Sequence, residues 1–168
     1  GILATLGISD VDVYRKAVVA VLSTGDELVD LDQPLGPDKV YSSNHYSLAA
    51  QVMECGAVPM SLGISSDDVR ELAVKLSAGH SADAIVTSGG VSIGRHDLVK
   101  QALSNLGMEL VFWRVAMKPG KPLLFGMLGQ EPVFGLPGNP GAATISFEQF
   151  VRPALLRMMG HQELLRPV

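Results

Sequence analysis

Apolar runs with strand-like composition alternate with segments of helical periodicity, and this alternation limits the possible folds more than any other feature. The first predicted strand, AVVAVLST (17–24), begins with the run AVVAVL (17–22), which is apolar on both faces, and the amphipathic segment NHYSLAAQVMECG (44–56) comes after it. Strands buried on both faces are typical of parallel sheets, whose strands are joined by helical crossovers. The pattern therefore predicts an α/β domain with a mostly parallel sheet.

The alternation continues to the end of the chain. Further strands are predicted over AVPMSLGI (57–64), DAIVTS (83–88) and MELVFWRVAM (108–117), and further helices over 65–79 and 96–107. PLLFGML (122–128) and PVFGL (132–136) predict a hairpin. A long helix over 140–160 is expected to close the domain, with Pro140 in its first turn and Pro153 bending it. The segment 30–39 predicts an exposed loop.

Composition excludes several classes of function. The 168 residues suit one domain, and the net charge of -4 comes without a basic block, which argues against nucleic acid as a partner. No apolar run reaches the ~18 residues of a membrane span, and the N-terminus lacks the features of a signal peptide, so we expect a cytoplasmic protein. The single cysteine, Cys55, predicts a small buried side chain.

Ligands of parallel sheets bind at the carboxyl ends of the strands, so the loops at those ends are the candidate site. They are STGDEL (23–28), GISSDD (63–68), TSGGVSIG (87–94), MKPGKP (117–122) and GLPGNPG (135–141).

The loop TSGGVSIG has the composition of an anion-binding turn. Gly89 and Gly90 allow the backbone to approach a ligand, while Ser88 and Ser92 offer hydroxyl donors. An ordinary tight turn between a strand and a helix is the alternative. The spacing matches neither the dinucleotide-binding nor the Walker A pattern.

Two further loops offer groups for an anionic or planar ligand. In MKPGKP the Pro-Gly turn brings Lys118 and Lys121 close together, and Arg114, on the preceding predicted strand, would point to the same side by period two. Solvated lysines in an exposed turn are the alternative. The prolines of GLPGNPG make a rigid loop, which can present Gly138 and Asn139 to a ligand or serve only as a turn.

Three carboxylates follow three different strands, namely Glu27, Asp67 and Asp97. Acids among phosphate-binding loops suit Mg²⁺, which takes one or two carboxylates and completes its shell with water and phosphate. Each also has a structural alternative, since Asp67 or its neighbour Asp68 could cap a helix, Asp97 could cap another, and Glu27 could be a solvated turn residue. The four histidines show no ligand spacing; they are His45, His80, His96 and His161.

Five motifs, in this order, resemble the family of the molybdenum-cofactor biosynthesis protein MoeA and the gephyrin E domain. They are STGDEL, VYSSN, SGGVSIGRHD, VAMKPGKP and GLPGNP, and the similarity runs from about Tyr14 to Gly160. The resemblance covers the central domain of that family, which implies a three-layer α/β/α fold of the MogA and MoaB type. It implies a lead-in from an upstream domain over 1–14, a molybdopterin-binding domain over 15–160, and a linker toward a C-terminal β domain over 161–168.

The resemblance also implies a reaction, in which molybdate is inserted into the dithiolene of adenylylated molybdopterin with Mg²⁺-dependent release of AMP. The residues implied as catalytic are Asp97, Asp67, Glu27 and Lys118, and the first three are also the implied metal ligands. The implied substrate-binding residues are Thr24, Gly25, Ser88, Gly89, Gly90, Ser92, Gly94, Arg114, Lys118, Gly120, Lys121, Pro137, Gly138 and Asn139. Other cofactor-biosynthesis proteins are implied partners, and the full-length protein is implied to be a homo-oligomer.

The chain departs from the family pattern at four positions. Ser42 and His45 stand where the family commonly has Asp and Arg, Arg114 stands where it commonly has Lys, and Arg95 replaces an acidic residue. Two other functions stay open. The MogA or MoaB type uses the same fold to adenylylate molybdopterin from ATP, and a binding-only or scaffold domain would bind the pterin without turnover.

Overall fold

The computed structural model describes residues 1–91 and 97–166. These two ranges contain eight strands, namely β1 (Val18–Thr24), β2 (Leu28–Val29), β3 (Val40–Tyr41), β4 (Val58–Ser65), β5 (Ala84–Ser88), β6 (Glu109–Trp113), β7 (Leu124–Leu128) and β8 (Glu131–Leu136). The α-helices are α1 (Ile2–Thr5), α2 (Ser43–Glu54), α3 (Val69–Ala78), α4 (Leu98–Asn105), α5 (Pro140–Ser146) and α6 (Arg152–Met158). None of the helices in these two ranges is long and apolar enough to cross a membrane.

Six strands form one sheet in the order β4-β1-β5-β8-β7-β6. The four strands β4, β1, β5 and β8 run parallel, while β7 is antiparallel to both of its neighbours, β8 and β6. The mostly parallel sheet is therefore confirmed, as is the hairpin of β7 and β8. Since β6 and β8 are both antiparallel to β7, the carboxyl ends of β1, β4, β5, β6 and β8 lie at one edge of the sheet.

Helices cover both faces of the sheet, which confirms the three-layer fold. Along β1, Val19 and Val21 belong to one apolar core with side chains of α2 and α6, such as Leu48 and Leu155. The alternate residues Ala20 and Leu22 belong to a second core with side chains of α3 and α4. Successive strand residues point to opposite faces, so a strand that is apolar at every position requires a layer on each side.

Cys55 lies in the first of these cores and is 8% exposed, which confirms the expected small buried side chain. Burial also raises the pKa of its thiol. A thiol of this kind is less readily ionised and hence less reactive than an exposed one.

Several predicted boundaries were wrong. The strand predicted over 108–117 ends at Trp113, because Arg114 adopts a positive φ of 80° and the chain turns toward β7. The helix predicted over 65–79 begins at Val69, since Ser65 still pairs with Thr24 in the sheet.

The closing helix over 140–160 is divided into three segments. A π-helical segment, Phe147–Val151, separates α5 from α6, and Pro153 is the second residue of α6. Proline cannot donate to the carbonyl one turn earlier, and the wider π turn accommodates that missing hydrogen bond. A change in helix type therefore lies directly before α6, and the bend at Pro153 stays a prediction. The sequence did not predict α1 or the short parallel pair of β2 and β3.

Candidate functional site

A cavity of about 450 Å³ opens at the carboxyl edge of the sheet. Its walls come from the loops after β1, β4, β5 and β8 and from the segment that leads into α2. The lining residues are Thr24, Gly25, Glu27, Leu28, Val40, Tyr41, Ser42, Ser43, Asn44, Asp67, Ser88, Gly89, Gly90, Val91, Pro122, Pro137, Gly138, Asn139 and Pro140. Ten of the residues proposed from sequence thus surround one space, namely Thr24, Gly25, Glu27, Asp67, Ser88, Gly89, Gly90, Pro137, Gly138 and Asn139.

Hydrogen bonds join the loops after β1 and β4. The hydroxyl of Thr24 donates to Oδ1 of Asp67 at 3.1 Å, and the amide of Asp67 donates to Oδ1 of Asp26 at 2.9 Å. The amide of Gly25 donates to the carbonyl of Ser65 at 3.2 Å. These bonds fix the carboxylate of Asp67 relative to the end of the central strand.

The two neighbouring acids of the β4 loop have different tasks. Asp68 caps α3, because its Oδ1 accepts from the amides of Arg70 and Glu71, each at 2.9 Å. Asp67 faces the cavity instead. The sequence left open which of the two serves as the cap, since both precede a helix and both are good capping residues.

Glu27 lies on the cavity wall beside Gly25. A Cβ built on Gly25 would stand 2.8 Å from the carboxyl carbon of Glu27, so a larger residue at position 25 would displace this carboxylate. The amide of Val40 donates to the carbonyl of Glu27 at 2.8 Å, which ties the acid to the start of β3. Glu27 and Asp67 therefore reach the same cavity from different loops.

The paired glycines of the TSGGVSIG loop are required by packing within the protein. Gly89 and Gly90 have φ values of 88° and 64°. A Cβ on Gly89 would collide with the carbonyl oxygen of Thr24, and one on Gly90 would stand 2.5 Å from Cγ2 of Val99. The amide of Gly89 donates to the carbonyl of Leu136 at 3.1 Å. This amide is therefore already paired within the protein, and the role of the loop in anion binding stays a prediction.

The loop GLPGNPG is fixed by its own side chains. Oδ1 of Asn139 accepts from the amide of Ala142 at 3.1 Å and caps α5. The amide nitrogen of Asn44 donates to the carbonyl of Gly138 at 2.8 Å, which joins this loop to the start of α2. The rigid loop inferred from its prolines is also anchored from outside.

Residues of the VYSSN segment also form part of the cavity wall, although the sequence analysis assigned them no role in binding. Ser42 and Asn44 both line the cavity and are 1% and 8% exposed. Nothing in the spacing of this segment indicated burial, because Ser and Asn before a helix usually serve as exposed caps.

The MKPGKP turn joins β6 to β7, and only its last residue, Pro122, lines the cavity. Lys118 and Lys121 are exposed, while Gly120 is buried. The guanidinium of Arg114 lies 4.1 Å from the ring centre of Trp113, in a cation–π contact. Because Arg114 lies beyond the end of β6, the argument that it shares a side with Lys118 by strand period was wrong.

Asp97 caps α4, since its Oδ1 accepts from the amide of Lys100 at 2.9 Å. Burial raises the pKa of this carboxyl above its usual range, and the hydrogen bond from Lys100 opposes that shift. Asp97 is not among the residues that line the cavity. The other predicted residues of this loop, Ser92 and Gly94, lie outside the described residues, as do Arg95 and His96.

Within the described ranges, no three His, Cys, Asp or Glu side chains lie close enough to form a complete metal cage. Glu27 and Asp67 still offer carboxylate oxygens to one space. His45 is buried, and its Nε2 lies 3.0 Å from the hydroxyl of Ser61. Burial lowers the pKa of this imidazole, which favours its neutral form.

Comparison with known proteins identifies the domain. Residues 20–157 match the family described as a probable molybdopterin binding domain. The chain is 43% identical over 171 residues to the molybdopterin molybdenumtransferase of Nostoc sp. strain PCC 7120, covering 99% of this chain and 39% of that protein. It therefore spans about two fifths of the length of this relative.

Solved structures agree with this assignment. The crystal structure of the molybdopterin biosynthesis MoeA protein from Pyrococcus horikoshii superposes with a TM-score of 0.85 at 34% identity, covering 96% of this chain and 40% of that one. The MoaB enzyme of Thermus thermophilus, at 17% identity and a TM-score of 0.63, shares the fold over 86% of this chain and 98% of its own. The resemblance inferred from the five motifs is confirmed, and the chain belongs to the family of probable molybdopterin-binding domains, in its MoeA branch.

Proposed function

We propose that this chain binds adenylylated molybdopterin in the cavity at the carboxyl edge of the sheet, and that it takes part in the insertion of molybdate into the dithiolene with release of AMP. One observation carries the proposal, namely that Glu27 and Asp67 line a cavity that is otherwise built by the glycine, proline and polar loops of the five family motifs. The name of the Nostoc relative, a molybdenumtransferase, supports this assignment.

The two carboxylates fit Mg²⁺. This ion prefers oxygen ligands and is commonly held by one or two carboxylates, with water and substrate phosphate completing its shell. Glu27 and Asp67 would hold it, and the hydrogen bond from Thr24 to Asp67 orients one of its ligands. When bound, Mg²⁺ supplies positive charge to the phosphate oxygens. The carboxylate of Asp97 caps α4. Its assignment as a third ligand of the metal ion stays a prediction.

Without a cation, two carboxylates on one wall would repel a phosphate-bearing ligand. Glu27 and Asp67 would therefore make ligand binding depend on Mg²⁺. The MKPGKP turn borders the cavity at Pro122, and its exposed lysines would attract the anion from solution.

The experiment compares two adjacent acids of the same loop. We expect Asp67→Asn to lower the single-turnover rate of AMP release from adenylylated molybdopterin by about a hundredfold, since it removes a charge that positions the ion. The matched control is Asp68→Asn, because Asn also caps helices well and this side chain faces α3. Affinity for the same ligand, with and without Mg²⁺, is measured for both variants.

Equal rates for the two variants would contradict the assignment of Asp67. The choice of substrates tests the reaction itself. Product from adenylylated molybdopterin and molybdate supports the proposal, whereas product only from molybdopterin and ATP would indicate an adenylyltransferase. Binding without either reaction would indicate a binding-only domain.

A further inference from the structure

Two cavity-lining residues of the segment leading into α2 each have a buried side-chain oxygen that has no hydrogen-bond partner within residues 1–91 and 97–166. The two atoms are Oγ of Ser42 and Oδ1 of Asn44. Both residues line the cavity, and both are more than nine-tenths buried. A buried polar atom without a partner destabilises a protein, so native structures rarely keep one without a reason.

Ser42 occupies the capping position of α2 but does not cap it. No hydrogen bond runs from its side chain to the first turn of the helix. The amide of Ser42 donates to the carbonyl of Val29 at 3.0 Å, so the backbone alone holds the residue in place. The hydroxyl is therefore free of the task that serine usually performs at this position.

The side-chain amide of Asn44 has a fixed orientation. Its nitrogen donates to the carbonyl of Gly138 at 2.8 Å, and a carbonyl can only accept, so the nitrogen and oxygen cannot be exchanged. Oδ1 is thus left as an acceptor. A ligand group that meets it must donate a hydrogen bond.

The surroundings of this pair suit a flat, uncharged group. The five lining residues from Val40 to Asn44 carry no charge. Tyr41 and Val40 are 41% and 52% exposed, and Pro122 and Pro137 also line the cavity, so the wall offers apolar surface for the face of a ring. Apolar walls with a few placed polar atoms are typical of sites for heterocycles.

We propose that Ser42 and Asn44 recognise the hydrogen-bonding edge of a planar heterocycle, with a ring N–H or amino group donating to Oδ1 of Asn44 and an adjacent atom paired with the hydroxyl of Ser42. The inference rests on the proposed function, whose ligand carries two such edges. One of these hydrogen-bonding edges belongs to its 2-amino-4-oxopteridine ring, and the other belongs to its adenine ring. The chemistry that the wall recognises is common to both.

The test compares two buried serines, of which one lines the cavity and the other does not. Ser42→Ala removes the buried hydroxyl of a residue that lines the cavity, and Ser146→Ala removes another buried hydroxyl that also lacks a partner in the described part of the chain but belongs to a residue that does not line the cavity. The dissociation constants of AMP and of molybdopterin are measured separately for wild type and both variants, together with the melting temperature of the free proteins.

We expect Ser42→Ala to weaken the binding of one of the two probes by about three- to tenfold, the loss of one neutral hydrogen bond. The probe that is affected identifies which ring lies against α2. The melting temperature of the free Ser42→Ala protein should not fall, because the hydroxyl has no partner to lose. Ser146→Ala should leave both affinities unchanged.

Two outcomes would overturn the inference. In one, Ser42→Ala binds both probes like wild type. In the other, Ser42→Ala lowers the melting temperature of the free protein, while Ser42→Cys binds both probes like wild type. Cysteine keeps the approximate size of the serine side chain but is a weaker hydrogen-bond donor. If the wild-type protein binds neither probe, the proposed function itself fails.

Discussion

The two sides of the carboxyl edge are built differently. At the parallel centre, hydrogen bonds of Thr24, Asn44 and Asn139 hold the loops in position, and the lining residues Thr24, Asn44 and Ser88 are buried. At the β6–β7 end, Lys118 and Lys121 are exposed and the MKPGKP turn reaches the cavity only at Pro122. The centre is thus prearranged for contact with a ligand, whereas the turn can act on the ligand mainly through its charge.

The largest expected effect concerns the glycines of the prearranged side. We expect Gly90→Ala to lower the free energy of unfolding by about 2–5 kcal/mol, because the new Cβ would meet Val99 and because a residue other than glycine is strained at a φ of 64°. Urea denaturation measures the change.

The matched control for that variant is Gly138→Ala, in the facing loop. A Cβ there would meet the Cα of Gly89 at 3.5 Å, an ordinary contact, and Gly138 has no positive φ. We expect a change below about 1 kcal/mol. If the two variants were equally stable, packing could not be the reason for the glycine at position 90.

A smaller effect is expected on the charged side. Lys118→Ala should weaken AMP binding by up to about tenfold at low salt, and the difference should shrink at high salt, because exposed charges are screened over about 10 Å at 0.1 M. Isothermal titration at two salt concentrations measures it. Lys16→Ala removes an equal charge just before β1, at the opposite edge of the sheet, and should change the affinity little.

A loss of affinity for Lys118→Ala that persists at high salt would show a direct contact with the ligand. The contrast between the two sides would then be wrong, because the turn would bind in the same way as the centre.

The smallest effect is expected for Asp97→Asn. A carboxyl whose pKa is raised by folding binds protons more tightly in the native state, so its contribution to stability falls as the pH rises from the usual Asp range through the raised pKa. Asn keeps the cap on α4 and removes this dependence. We therefore expect the variant to be at least as stable as wild type at pH 7 and to have a flatter melting-temperature profile between pH 4 and 7.

Lower stability of Asp97→Asn at pH 7 would contradict this account, since it would mean that the ionised carboxylate stabilises the native protein. Thermal melts of both proteins across the pH range decide the question.

The fold and the position of the site could be predicted because they depend on local patterns. A strand whose apolar residues point to both faces, as in the run from Val18 to Leu22 of β1, requires two helical layers, and parallel strands bring their loops to one edge. The hydrogen-bond partners could not be predicted. Asp67 and Asp68 are both good caps, and only the packing of α3 selects Asp68. Likewise, the amide of Ser42 is bound to Val29 of β2, and the two-residue strands β2 and β3 leave no periodic signal in the sequence.

The most direct measurement is the map of backbone amide shifts of the isotope-labelled chain during titration with adenylylated molybdopterin and Mg²⁺. We expect the amides of Thr24, Gly25, Gly90, Gly138 and Asn44 to shift together as the ligand binds. The turn at Gly129 and Gln130, between β7 and β8 at the opposite edge of the sheet, should not respond. Shifts concentrated at that turn, or spread evenly over both edges, would contradict a site at the carboxyl ends of the strands.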